Sequence, residues 1–115
     1  MVKNSSPNPV YLVGVDRDGT ITHDDPDGYF GKNNSWKEDL TFYDYALDGL
    51  RKLTQHPSIK VVVATNQGGG LARKMFTEEQ IQEVNHYIDS LLQKEDITLD
   101  GWYYSSLASK RRIRR

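Results

Sequence analysis

The chain has 115 residues, fifteen Lys and Arg against sixteen Asp and Glu, and a net charge of -1. That length holds one compact domain and excludes two. Cysteine is absent, which excludes disulfides, thiol nucleophiles and Cys-based zinc or iron–sulfur sites. Apolar residues make up 37% and charged residues 27%, yet seven Tyr, three Phe and two Trp remain to anchor a core. No apolar run is long enough to span a bilayer, and the start Met1-Val-Lys-Asn-Ser-Ser-Pro7 lacks the apolar stretch of a secretory signal. A cytoplasmic protein without membrane partners is the resulting expectation. Five basic residues cluster in Lys110–Arg115, leaving ten basic against sixteen acidic elsewhere, a net of -6. An acidic body repels polyanions, so nucleic acid is not an expected partner.

Residues 1–9 read as a disordered leader. Val10–Val15 is short, β-branched and nearly all apolar, the pattern of a strand covered on both faces in a parallel sheet. It ends at Asp16. Residues 19–41 are rich in Gly, Asp, Asn and Thr and read as a long loop. Asp44 is placed to cap a helix whose Ala46, Leu47, Leu50 and Leu53 share one face, with Pro57 beyond its end. Ile59–Ala64 is a second buried strand, ending at Thr65-Asn66. Gly68-Gly69-Gly70 forms an elbow. Thr77 and Gln80 then make a capping box, with Phe76 and Ile81 positioned as a hydrophobic staple. Ile81, Val84, Ile88, Leu91 and Leu92 follow at helical spacing up to about Lys94. Leu99–Tyr104 reads as a third, aromatic strand, and residues 105–115 as a basic tail. Strand, helix, strand, helix, strand is an α/β alternation, so the expected fold is a Rossmann-like parallel sheet with flanking helices over residues 10–104.

In open parallel sheets, ligands gather at the carboxyl ends of the strands. Two polar clusters fall there: Asp16-Arg17-Asp18-Gly19-Thr20, and Thr65-Asn66-Gln67. Two carboxylates two residues apart repel unless a cation lies between them or one is protonated, and hard oxygen ligands suit Mg²⁺. One aspartate can attack phosphorus and the other can move the proton. The Thr65 hydroxyl can hold a phosphoryl oxygen. A plain turn is the competing reading. A calcium loop fails, because counting from Asp16 puts Ile21 where Gly is needed and Asp27 where Glu is needed. A Walker loop fails, because no Gly-Lys-Ser/Thr follows the glycines. His23, His56 and His86 share no ligand spacing, with His23 a distant candidate for a substrate contact.

Val13-Gly-Val-Asp-Arg-Asp-Gly-Thr-Ile21 and Val61-Val-Val-Ala-Thr-Asn-Gln67 resemble the first and second motifs of the haloacid dehalogenase superfamily of phosphatases. With Leu71-Ala72-Arg73, Phe76-Thr77 and Asp100–Tyr104, the likeness is to the branch holding histidinol-phosphate and D,D-heptose 1,7-bisphosphate phosphatases. The resemblance implies a Mg²⁺-dependent hydrolase of a small phosphorylated substrate, working through an aspartyl-phosphate. It implies Asp16 as nucleophile and Asp18 as general acid/base. The metal falls to Asp16 and Asp18, the latter through its main-chain carbonyl. Phosphate falls to Thr65 and Asn66, and substrate contacts to Arg17, Gly69 and Arg73. Segment 20–41 would take the place of a flap over the site.

The family continues beyond its third strand with a basic residue and a further strand bearing acidic residues. This chain has only Lys110 after Tyr104 before its final arginines, and no Cys for the zinc loop of the heptose branch. It is expected to be C-terminally incomplete, with its first strand left as an apolar edge open to self-association. A module that binds phosphate or Mg²⁺ without turnover, or an interaction module, is the alternative function.

Overall fold

The computed structural model describes residues 9–24, 30, 35–67 and 77–105. The leader over residues 1–8, the Gly-rich elbow, Phe76 and residues 106–115 lie outside them. Three parallel strands, β1 (Tyr11–Asp16), β2 (Ile59–Asn66) and β3 (Gly101–Ser105), form one sheet in the order β1-β2-β3. Between them stand α1 (Trp36–Asp39), α2 (Asp44–Thr54) and α3 (Glu78–Lys94). Val13 pairs with Val61 and Val15 with Val63, while Val63 pairs with Trp102. All three strands therefore point their carboxyl ends the same way, and Asp16, Asn66 and Ser105 terminate them on one rim.

Alternation decides which side is buried. Val61 and Val63 are fully buried, and they pack with Leu50 of α2 and with Val84, Ile88 and Leu92 of α3. Both long helices thus lie on one face of the sheet, as right-handed crossovers between strands added in the same direction require. The other face carries Leu12 (70% exposed), Ala64 and Tyr103 (63% exposed). This corrects the reading of Val10–Val15 as a strand covered on both sides. Its apolar residues reflect a parallel sheet, but of them only Val15 packs against the core.

The helix starts differ in a way their sequences explain. Thr77 receives the Gln80 amide on its hydroxyl at 3.2 Å, and the Gln80 side chain accepts from the Thr77 amide at 2.7 Å, so the capping box is complete. Asp44 does not cap α2. It is the first helical residue, after an extended Tyr43, and its charge sits at the positive end of the helix dipole. Segment 20–41 is more than a loop. Ile21, Phe30, Trp36 and Leu40 are buried in the same core, α1 gives it one helical turn, and the Trp36 ring meets Tyr87 of α3 edge-on at 5.2 Å. No helix among the described residues is long and apolar enough to cross a membrane.

Candidate active site

The site begins where β1 runs out. Asp16 is exposed at the strand end, and its Oδ1 accepts from the Arg17 amide at 2.9 Å, which fixes the carboxylate over the start of the following turn. The turn is tight. The Arg17 carbonyl accepts from the amides of Ile21 and Thr22 at 2.9 and 3.1 Å, and the Gly19 amide donates to the Thr22 carbonyl at 2.7 Å. Gly19 has φ +79°, and a Cβ there would stand 3.3 Å from the Asp24 carboxylate. Only glycine enters that conformation at low cost.

Asp18 is turned back into the protein. The Arg17 guanidinium grips it with two parallel bonds, Nε to Oδ1 at 2.8 Å and Nη2 to Oδ2 at 2.9 Å. Such a fork fits a carboxylate plane and is stronger than two separate neutral bonds. The third arm, Nη1, donates to Oδ1 of Asn85 on α3 at 2.8 Å. Arg17 is 1% exposed. The guanidinium that the sequence offers as a substrate contact therefore faces inward and holds Asp18. Gly69 and Arg73, the other two such candidates, lie outside the described residues.

The second cluster arrives on β2. Ala64 is the register partner of Asp16, so Thr65 and Asn66 emerge beside it one step further along the rim. Thr65 is 5% exposed and Asn66 is exposed. Asp16, Ala64, Thr65, Asn66, Tyr103 and Tyr104 line one open cleft of about 390 Å³. The structure thus brings the Asp16 carboxylate and the Thr-Asn corner to a shared opening, with Asp18 behind it.

Two further residues contribute: Gln67, which the sequence places in the second polar cluster without a role, and Asn85, which it does not single out. Gln67 is fully buried, and its Nε2 donates to Asp18 Oδ2 at 3.1 Å and to Thr65 Oγ1 at 2.7 Å. Its Oε1 is buried with no partner among the described residues. A lone buried acceptor costs about 1–3 kcal/mol, so its retention needs a reason. Asn85, buried at 7% exposure in the middle of α3, is the other. The signal available for it was a polar residue beside Val84 on a face otherwise packed against the sheet.

The donor set suits a hard cation only in part. Asp16 offers an exposed carboxylate, while both oxygens of Asp18 are engaged by Arg17 and Gln67. Asp18 would therefore offer a metal its main-chain oxygen, the role expected for it. Among the described residues no three His, Asp or Glu side chains converge as a ready-made metal cage.

No family model matches the chain. It is 38% identical over 95 residues to D-glycero-beta-D-manno-heptose-1,7-bisphosphate 7-phosphatase of Escherichia coli (strain K12), across 83% of this chain and 46% of that protein. The D-glycero-D-manno-heptose-1,7-bisphosphate 7-phosphatase of Chlorobaculum tepidum is 31% identical over 93 residues, across 81% of this chain and 43% of the relative. Among solved structures, the D,D-heptose 1,7-bisphosphate phosphatase of B. bronchiseptica, in complex with magnesium and phosphate, shares the fold. The TM-score is 0.69 at 24% identity, over 84% of this chain and 50% of that one. The chain spans about half the length of the curated relatives it matches.

Proposed function

We propose that this chain is a member of the haloacid dehalogenase superfamily, as its likeness to the heptose bisphosphate phosphatases supports, and that it carries the nucleophile and phosphate-binding ends of a phosphomonoesterase for a sugar phosphate. The observation that supports this most is the common cleft, in which an exposed Asp16 carboxylate opens beside the Thr65 and Asn66 corner.

In this reading an Asp16 oxygen forms a bond to phosphorus as the bond from phosphorus to the sugar oxygen breaks. Asp18 delivers a proton to the departing oxygen. It then takes a proton from the water that attacks the aspartyl-phosphate, and free phosphate and the Asp16 carboxylate are restored. Thr65 donates its hydroxyl proton to a phosphoryl oxygen, and Asn66 borders the same opening. Mg²⁺ held by Asp16 and the main-chain oxygen of Asp18 would offset the negative charge that otherwise keeps a carboxylate away from a phosphate. Arg17, and with it Asn85, keeps Asp18 in place behind the cleft.

The test is phosphate release from p-nitrophenyl phosphate and from a sugar-phosphate panel, with Mg²⁺, beside Asp16→Asn. Release by the unmodified chain, lost in the variant, supports the reading. No release, or equal release from both, overturns it. The alternative is binding without turnover. Phosphate binding without release would select that alternative.

A further inference from the structure

Gln67 stands directly after the phosphate corner and is sealed from solvent. Its Nε2 reaches both Asp18 Oδ2, at 3.1 Å, and Thr65 Oγ1, at 2.7 Å. With both its oxygens accepting from Arg17, Asp18 is ionised in this structure and can only accept, so the amide nitrogen faces it. One amide proton then goes to Asp18 and the other to Thr65. Thr65 therefore accepts on its hydroxyl oxygen, and its single proton has to point away from that line. Thr65 is 5% exposed, and among the described residues no acceptor takes the proton. Thr65 is also one of the residues that line the cleft shared with Asp16.

We propose that Gln67 is a positioning residue: its amide aims the Thr65 proton into the cleft, toward a phosphoryl oxygen, and ties Thr65 to Asp18 at a set separation. The inference rests on the phosphatase reading above. It makes the proton-moving group and the phosphate-holding hydroxyl two arms of one buried amide. Arg17 closes the opposite side of Asp18, so the carboxylate is held from two directions.

The probe is inorganic phosphate, titrated in the presence of Mg²⁺ into the full chain and read by ³¹P NMR. Gln67→Met keeps length and removes both donors. It is expected to weaken phosphate binding about tenfold, the size of one lost directed hydrogen bond. In a Thr65→Val background, where no hydroxyl remains to be aimed, the same change is expected to weaken binding by no more than about twofold. Unchanged binding in Gln67→Met, or an equal loss in both backgrounds, overturns the inference while leaving the phosphatase reading intact. A wild-type chain that neither binds nor releases phosphate overturns both. Gln67→Glu replaces the donor with an acceptor, and it should weaken binding more than Gln67→Met does. Should the Gln67 variants fail to fold by far-UV circular dichroism, the wild-type Gln67 side-chain amide signals decide. They must shift in Thr65→Val, and signals that stay in place overturn the inference.

Discussion

The guanidinium of Arg17 holds the carboxylate of Asp18 in a two-pronged grip, at 2.8 and 2.9 Å, although the two residues are neighbours in the chain. Neighbouring side chains on an extended strand point to opposite faces. The grip exists because the chain leaves β1 at Asp16 and folds back through the Gly19 turn.

That grip should be felt in stability. Arg17→Met removes the two-pronged grip on Asp18, which keeps the Gln67 amide, and leaves the buried Asn85 oxygen without its Arg17 donor. A loss of about 2–3 kcal/mol is expected, a drop in melting temperature of about 10 °C. Arg17→Lys keeps the charge but not the fork, so its melting temperature should fall between those of Met and wild type. Thermal denaturation followed at 222 nm reads both.

Gly19→Ala tests the turn. A methyl group there meets Asp24 at 3.3 Å on a backbone with positive φ. The expected cost is about 1–2 kcal/mol in urea denaturation. A free energy unchanged within error would mean that the turn relaxes into another conformation.

Ile88 is fully buried between α3 and the sheet. Ile88→Ala should lower the unfolding free energy by about 3 kcal/mol, from lost transfer and from the cavity left behind. By contrast Asp16→Asn, at an exposed strand end, should leave the melting temperature within about 2 °C of wild type. A common loss of phosphate release and of fold in Asp16→Asn would show that the carboxylate is structural.

The outer edge of β1 has no strand partner among the described residues. The Tyr11 amide bonds inward to Ser58, so the main-chain groups of Leu12 and Gly14 face outward by alternation. Val10, Tyr11 and Leu12 are each more than half exposed. Association that rises with concentration is expected in sedimentation velocity, and Leu12→Lys should suppress it without loss of stability. A chain that sediments as a monomer at all concentrations would rule out this edge as a contact.

The strands and the long helices were legible because each carries a local signature. Thr77 and Gln80 announce a helix start three residues apart, and the apolar runs that end in Asp16 and Thr65 announce strands with polar ends. Relations that depend on layer order were not legible. Nothing local to Val10–Val15 says that both crossovers fall on one side and leave Leu12 bare. The 20–41 segment looked like a loop because Gly, Asp and Asn outnumber its apolar residues, yet Ile21, Phe30, Trp36 and Leu40 are widely spaced anchors of the core. Arg17 was expected at the substrate because the family resemblance implies it, and nothing local to the motif says which way the guanidinium turns. Its direction is set by Asn85, 68 positions away.

Asn85 also ties the rim of the sheet to the middle of α3. The oxygen receiving the third arm of Arg17 sits midway along α3, where Val84 and Ile88 seat that helix on β2. Undocking of α3 would strip Arg17 of its Asn85 anchor and leave the Arg17–Asp18 pair held at the rim, among the described residues, by Gln67 alone. The grip on Asp18 should therefore loosen on warming together with the undocking of one helix, which couples the geometry of the rim to the seating of a single distant element.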